Sequence, residues 1–150
     1  MTKFLTLVSV LFLGACAVQM SPQERHKFLS EVNTKVNSEI KYVHEKTDVW
    51  HTYDEVKSSG KGDCEEYAIV KCVLVEKRIS DPKILVALHR KNKSAHAVLM
   101  VDDYILDNNS KKLYSVDDFT EKWDVKLALG ECAAYEIEHY KGTSVRGMRK

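Results

Sequence analysis

Gly60-Lys61-Gly62-Asp63-Cys64-Glu65-Glu66-Tyr67-Ala68 runs from a glycine-rich turn into the first turn of a helix, with a cysteine at the junction. Asp63 fits an N-cap, and Glu66 three residues on completes a capping-box pattern. Gly60 and Gly62 permit unusual backbone angles or a close approach. A helix N-terminus carries partial positive charge and unpaired N–H groups, which favour thiolate over thiol. Cysteine is equally common as a small buried core residue. The position becomes chemical only if the chain also supplies a base, a group to orient it and a compartment.

Downstream, residues 67–75 carry one charge, Lys71. A helix apolar nearly all round is a buried helix. Its valines would also suit a strand, but the caps and a length reaching Arg78 favour a helix. Ser80-Asp81-Pro82 reads as a turn. Ile84 to Leu88 reads as a strand, and Arg90 to Lys93 as a basic hairpin tip. His96 to Val101 is a strand, Asp102-Asp103 a tight turn and Tyr104 to Asp107 the returning strand. Pairing around that turn brings the His96 region beside the Asp107 region, where opposed Cβ atoms stand about 4.5–5.5 Å apart. Ser115 to Asp118 caps a short helix to about Trp123. Residues 133–140 partly alternate and suggest a last strand, and the basic end from Lys141 is expected to fray.

Upstream, Ser21-Pro22 opens a helix with Ser at the cap and Pro at the first position. Phe28, Val32, Val36, Ile40 and Val43 recur at spacings of three and four, so residues 22–45 read as an amphipathic helix lying on the core. Between Lys46 and Lys61 the pattern breaks into a loop with two large aromatics, Trp50 and Tyr53. Trp50 suits either core packing or the mouth of a cleft. His51 reads as a surface residue.

The chain of 150 residues is about one domain's worth. Its 44% hydrophobic and 30% charged residues suit a globular protein with a real core. Residues 1–15 contain one charge, Lys3, so the remainder balances 22 basic against 22 acidic residues. That balance makes no electrostatic case for nucleic acid. Met1-Thr2-Lys3, the apolar run Phe4 to Leu13 and the small residues Gly14 to Ala17 form an export signal. Leu13-Gly14-Ala15-Cys16 resembles a lipobox, in which Cys16 becomes a lipidated first residue. Ala15-Cys16-Ala17 also fits an A-x-A cleavage site cut after Ala17. The lipobox is the better fit, because the cysteine follows directly on a short apolar run. Residues 1–15 are therefore the signal and 16–150 a single domain. The exported domain is expected in the periplasm, tethered to a membrane surface if Cys16 is lipidated.

Outside the signal stand Cys64, Cys72 and Cys132, an odd number for an oxidising compartment. One pair plus one free thiol is the simplest arithmetic, and Cys72–Cys132 is the pair if Cys64 must stay free. Taken singly, both read more readily as small buried core residues.

A thiol nucleophile needs a base within hydrogen-bond reach and a third group to orient that base. Cys64, His96 and Asp107 supply these types, and the Cys64 N–H is a natural oxyanion donor. His96 would equally serve as a core histidine, and Asp107 as a cap of the Asn108-Asn109 turn. A zinc site from Cys64, His96 and an acid lacks any C-x-x-C or H-x-x-x-H pairing.

Gly62-Asp63-Cys64-Glu65-Glu66-Tyr67-Ala68-Ile69 followed by Lys71 resembles the signature of the bacterial transglutaminase-like cysteine proteases. The similarity extends through Val36-Asn37, Ile40-Lys41-Tyr42, Trp50 and Asp54-Glu55-Val56. It continues in His96-Ala97-Val98-Leu99 and Leu106-Asp107-Asn108. The resemblance implies an α+β fold with a papain-like, transglutaminase-type core, a buried central helix packed on a small antiparallel sheet. It makes Cys64 the nucleophile, His96 the base and Asp107 its orienter. The implied protein is an exported cysteine endopeptidase, a monomer, acting on an envelope or surface protein such as an adhesin. Amine transfer at the same thioester, or a non-catalytic envelope lipoprotein that binds a partner, are the alternatives. The resemblance also implies calcium on Asp63 and Glu65. Glu66, where the family usually has Asp, departs from it.

Overall fold

The computed structural model describes residues 20–44, 49–130 and 132. The expected strand at 133–140, the basic end and the export signal lie outside the described residues.

Helix α1 (Pro22–Glu39) starts at a complete capping box: Ser21 accepts the Glu24 N–H, and Glu24 reaches back to the Ser21 N–H. It ends six residues before the expected boundary. Ile40 turns extended, and β1 (Lys41–Tyr42) pairs in parallel with β2 (Lys61–Gly62). The apolar period of α1 runs on into a strand because a neighbouring ladder, not the period, decides the last residues. Helix α2 (Tyr53–Ser59) occupies a stretch expected to be loop; Thr52 and Glu55 form its capping box and Gly60 closes it at φ 63°. A left-handed angle of that kind is the reason for glycine there.

Helix α3 (Cys64–Glu76) is capped by Asp63 and Glu66 as expected, and it is the buried core helix. Nine of its residues are buried, including Lys71. It lies against a five-stranded sheet in the order β6 (Tyr114–Ser115), β5 (Tyr104–Leu106), β4 (Ala95–Val101), β3 (Lys83–His89), β7 (Trp123–Gly130). All neighbours are antiparallel. Helix α4 (Val116–Lys122) packs beside β6 and β7. Period-two alternation splits the strands between two faces. Ile84, Val86, Ala97, Leu99 and Val101 join the main core with α3 and α1. Leu85, Ala87, Val98 and Ile105 join Phe119 in a smaller core on the other face.

Cys72 and Cys132 are bridged, with Cα atoms 5.4 Å apart, so the plain core reading of these two residues is corrected. Both are buried as well as bonded. The bridge ties α3 to the chain just past β7 and closes a loop with a sequence separation of 60. Chain entropy alone gives such a crosslink about 4 kcal/mol.

Candidate active site

The glycine turn is built to bring α3 close. β1 receives it through Lys41 N–H to Gly60 O at 2.9 Å and Val43 N–H to Gly62 O at 3.0 Å. Tyr67 donates its hydroxyl to Ile40 O and fastens α3 to the end of α1. Glu66 is fully buried and spans two backbone donors: Asp63 N–H at 2.9 Å and His51 N–H at 3.0 Å. Burial pushes its carboxyl up to about 7, against those two hydrogen bonds. A Cβ on Gly62 would stand 2.4 Å from Glu66 Cβ, so Gly62 is needed for close approach.

Cys64 is the first residue of α3 and a free cysteine. The helix that begins with it packs on β4, which carries His96 and Ala97. The β4–β5 ladder runs from Val101↔Tyr104 to Leu99↔Leu106 and stops. Extending the register by one residue sets Asp107 opposite Val98, diagonal to His96 and on its face. His96 and Asp107 meet there at 2.9 Å, Nε2 to Oδ1, with exposures of 5% and 6%. The diagonal, rather than the direct cross-strand position, makes the contact.

Three further partners hold this pair; the Asn109 N–H is the turn cap expected of Asp107, whereas Tyr114 and Trp123 were not legible. Tyr114 donates to Asp107 Oδ2 at 2.6 Å, and the Asn109 N–H donates to Oδ1 at 2.8 Å. The Trp123 ring lies 5.0 Å from the His96 ring. Burial works to raise the Asp107 carboxyl, but His96, Tyr114 and Asn109 together hold it below its ordinary value. Burial and the Asp107 charge push the Tyr114 hydroxyl up, so it stays a donor.

The thiol itself donates to Glu65 Oε2 at 3.1 Å, not to His96. Burial pushes the Cys64 thiol well above its ordinary value; the Glu65 charge and hydrogen bond and the Asp63 charge add to that, against the Ala97 N–H. The lowered thiol expected of a helix N-terminus is thus reversed by burial first and by two adjacent acids second. Ligand atoms of Asp63, Cys64 and Glu65 lie within 4.8 Å of one another. The two carboxylates are hard oxygen donors of the kind calcium takes, whereas the sulfur is not. Glu66 has both oxygens engaged and stands outside this set. Beyond Gly62 a cleft of about 740 Å³ is lined by Val43, His51, Asp54, Glu55 and Lys61 among others.

The chain belongs to the bacterial transglutaminase-like cysteine proteinases, whose family model matches residues 14–123. It is a cysteine peptidase of that class. Among solved structures it is similar to LapG of Legionella pneumophila. The calcium-bound form is 23% identical, covering 74% of this chain and 67% of that one, with a TM-score of 0.61. A second LapG structure gives 0.62 at the same identity and coverage. An EGTA-treated LapG gives 0.62 with 65% of its own chain covered. The mixed α+β architecture expected from sequence is therefore that of LapG. Among curated proteins none matches.

Proposed function

We propose that this peptidase works through Cys64 as nucleophile, His96 as base and acid, and Asp107 as the group that orients His96. The observation that carries the reading is the buried 2.9 Å His96–Asp107 pair, with His96 on β4, the strand that packs against α3 and its first residue, Cys64. With Nε2 committed to Asp107, Nδ1 is the nitrogen left to accept the thiol proton. The thiolate adds to the peptide carbonyl carbon, and the oxyanion meets the Cys64 N–H, a first-turn donor of α3. His96 then gives its proton to the leaving amine, and a thioester remains. Water, deprotonated by His96, attacks the thioester; the acid departs and the thiol is restored.

To enter this cycle the thiol must leave Glu65. Asp63 and Glu65 are the residues that would hold calcium, supplying part of the six to eight oxygens it takes. Its charge would offset the two carboxylates beside the thiol. The calcium-bound and EGTA-treated forms of LapG support calcium as the metal. The substrate is a protein of the cell envelope, a surface adhesin in the form the family resemblance implies. Export follows from residues 1–15, and a lipidated Cys16 would keep the enzyme at a membrane.

Iodoacetamide alkylation of Cys64, followed by peptide mass, tests the reacting set. His96→Ala should slow it about ten-fold or more; an unchanged rate sinks the assignment. Calcium added to chelator-treated protein should raise its melting temperature, and Asp63→Asn with Glu65→Gln should abolish that shift. A melting temperature indifferent to calcium removes the metal from the reading. Fragments released from an envelope extract by wild type and not by Cys64→Ala identify the substrate.

A further inference from the structure

Lys71 is fully buried at 0% exposure and heads the largest such side chains among the described residues. It follows Cys64 by seven residues on α3, two turns along the same face. Its Nζ has no hydrogen-bond partner, and the Tyr67 ring centroid stands 5.8 Å away. An ammonium buried without a partner is strongly unfavourable. The buried acceptors that share that condition among the described residues are amide oxygens: Asn33 Oδ1, Asn37 Oδ1 and Asn108 Oδ1.

The orientation of two of these oxygens is forced. Asn33 Nδ2 donates to Ser110 O at 2.8 Å, and Asn37 Nδ2 to Asp107 O at 2.9 Å and Ser110 O at 3.0 Å. The amide nitrogens must face those carbonyls, so the amide oxygens must face away. An ammonium has three protons and no acceptor; the three amide oxygens are acceptors without a donor. The helix that carries Lys71 packs against α1, which carries Asn33 and Asn37. Asn33 and Asn37 grip the 107–110 turn from α1, Asn108 lies in that turn, and the Asp107 charge acts on Lys71. Burial drives the Lys71 ammonium down to about 7, and Asp107 pushes it back up.

We infer that Lys71 is a positioning residue, donating through ordered water to the Asn33, Asn37 and Asn108 oxygens and so pinning the turn that carries Asp107 beneath His96. The inference rests on the reading of Cys64, His96 and Asp107 as the reacting set. Ordered water is the usual partner of buried polar groups without a direct one, with about three hydrogen bonds each. A positive charge under the turn also favours Asp107 as a carboxylate, the form that orients His96. Packing alone would be served by methionine, without a charge to bury.

Lys71→Met keeps the volume and removes the charge. Wild type, Lys71→Met, Asp107→Asn and the double variant are compared for iodoacetamide alkylation of Cys64 in millimolar calcium, with melting curves to show folding. Lys71→Met is expected to alkylate about ten-fold slower than wild type, and to add no slowing in the Asp107→Asn background. A wild-type rate in Lys71→Met, or the same slowing in both backgrounds, overturns the inference. His96→Ala in the same series separates the two readings. If His96→Ala is slowed and Lys71→Met is not, only the role of Lys71 is lost. If His96→Ala reacts as wild type does, the reacting set falls and this role with it. Should Lys71→Met not fold, a high-resolution crystal structure of wild type decides. Water bridging Lys71 Nζ to at least one of the three amide oxygens upholds the inference; a dry Nζ, or one turned to solvent, overturns it.

Discussion

Asp107 is held at both oxygens, and each bond has a different origin. His96 and the Asn109 N–H share Oδ1, while Tyr114 alone serves Oδ2. Tyr114 therefore fixes the rotation of the carboxylate plane, which in turn aims the imidazole. Tyr114→Phe keeps the ring and removes one charge-assisted hydrogen bond, about 1.5–3 kcal/mol to a buried carboxylate. The Asp107 carboxyl should then rise toward its ordinary value. Cys64 alkylation should slow, and the acid limb of its pH profile should move to higher pH; a profile that overlays wild type shows that Tyr114 does not orient the pair. The place of Cys64 at a capped helix start and the nearness of His96 to Asp107 were legible from the capping box and the turn spacing; the roles proposed for them came from the family resemblance. Tyr114 was not, because its contact depends on the pairing Ile105↔Tyr114 across a turn that carries no apolar period. Trp123 read as the end of a helix. Its ring reaches His96 only because it is also the first residue of β7, paired with His89.

At the scale of elements, the start of α3 depends on a fit between Gly62 and Glu66. An added Cβ at Gly62 would meet Glu66 Cβ at 2.4 Å and Cγ at 2.8 Å, atoms near the helix backbone that cannot swing aside. At Gly60 a Cβ would meet nothing within 4 Å, and only the left-handed φ of 63° opposes it. Gly60→Ala should therefore lose about 1 kcal/mol, and Gly62→Ala about 2 kcal/mol or more. Urea midpoints check the order; equal losses would mean that Glu66 does not hold its place against Gly62. The glycines, the cap and the buried helix were all readable, as was the β4–β5 hairpin. α2 was not, since seven residues with one buried side chain, Val56, give too short a period to see. Its Thr52–Glu55 capping box was the available signal. β7 had a signal too: Trp123, Val125, Leu127 and Leu129 alternate with Asp124, Lys126 and Ala128. Helix caps just before it, and a register shift between Val86 and Ala87, interrupt that pattern.

Over the whole molecule, α3 carries two ionisable groups into one core from opposite sides of neutrality. Burial pushes Glu66 up to about 7 and Lys71 down to about 7, from ordinary values of 4.5 and 10.5. Glu66 binds more protons folded than unfolded between 4.5 and about 7, so its contribution to stability falls as pH rises through that window. Lys71 binds fewer protons folded than unfolded between about 7 and 10.5, so its contribution rises with pH through that one. Together they place the least favourable contribution of α3 near neutral pH, where the core and the Cys72–Cys132 bridge must outweigh it. Other groups shape the full curve, so the comparison of variants isolates the effect. Lys71→Met removes a charge that burial opposes and Asp107 favours. Its stability relative to wild type should be most favourable at or below about pH 7 and should decline steadily toward about pH 10. Urea unfolding of both proteins across that range reads the difference directly. A constant difference would show that Lys71 titrates alike in the folded and unfolded chain.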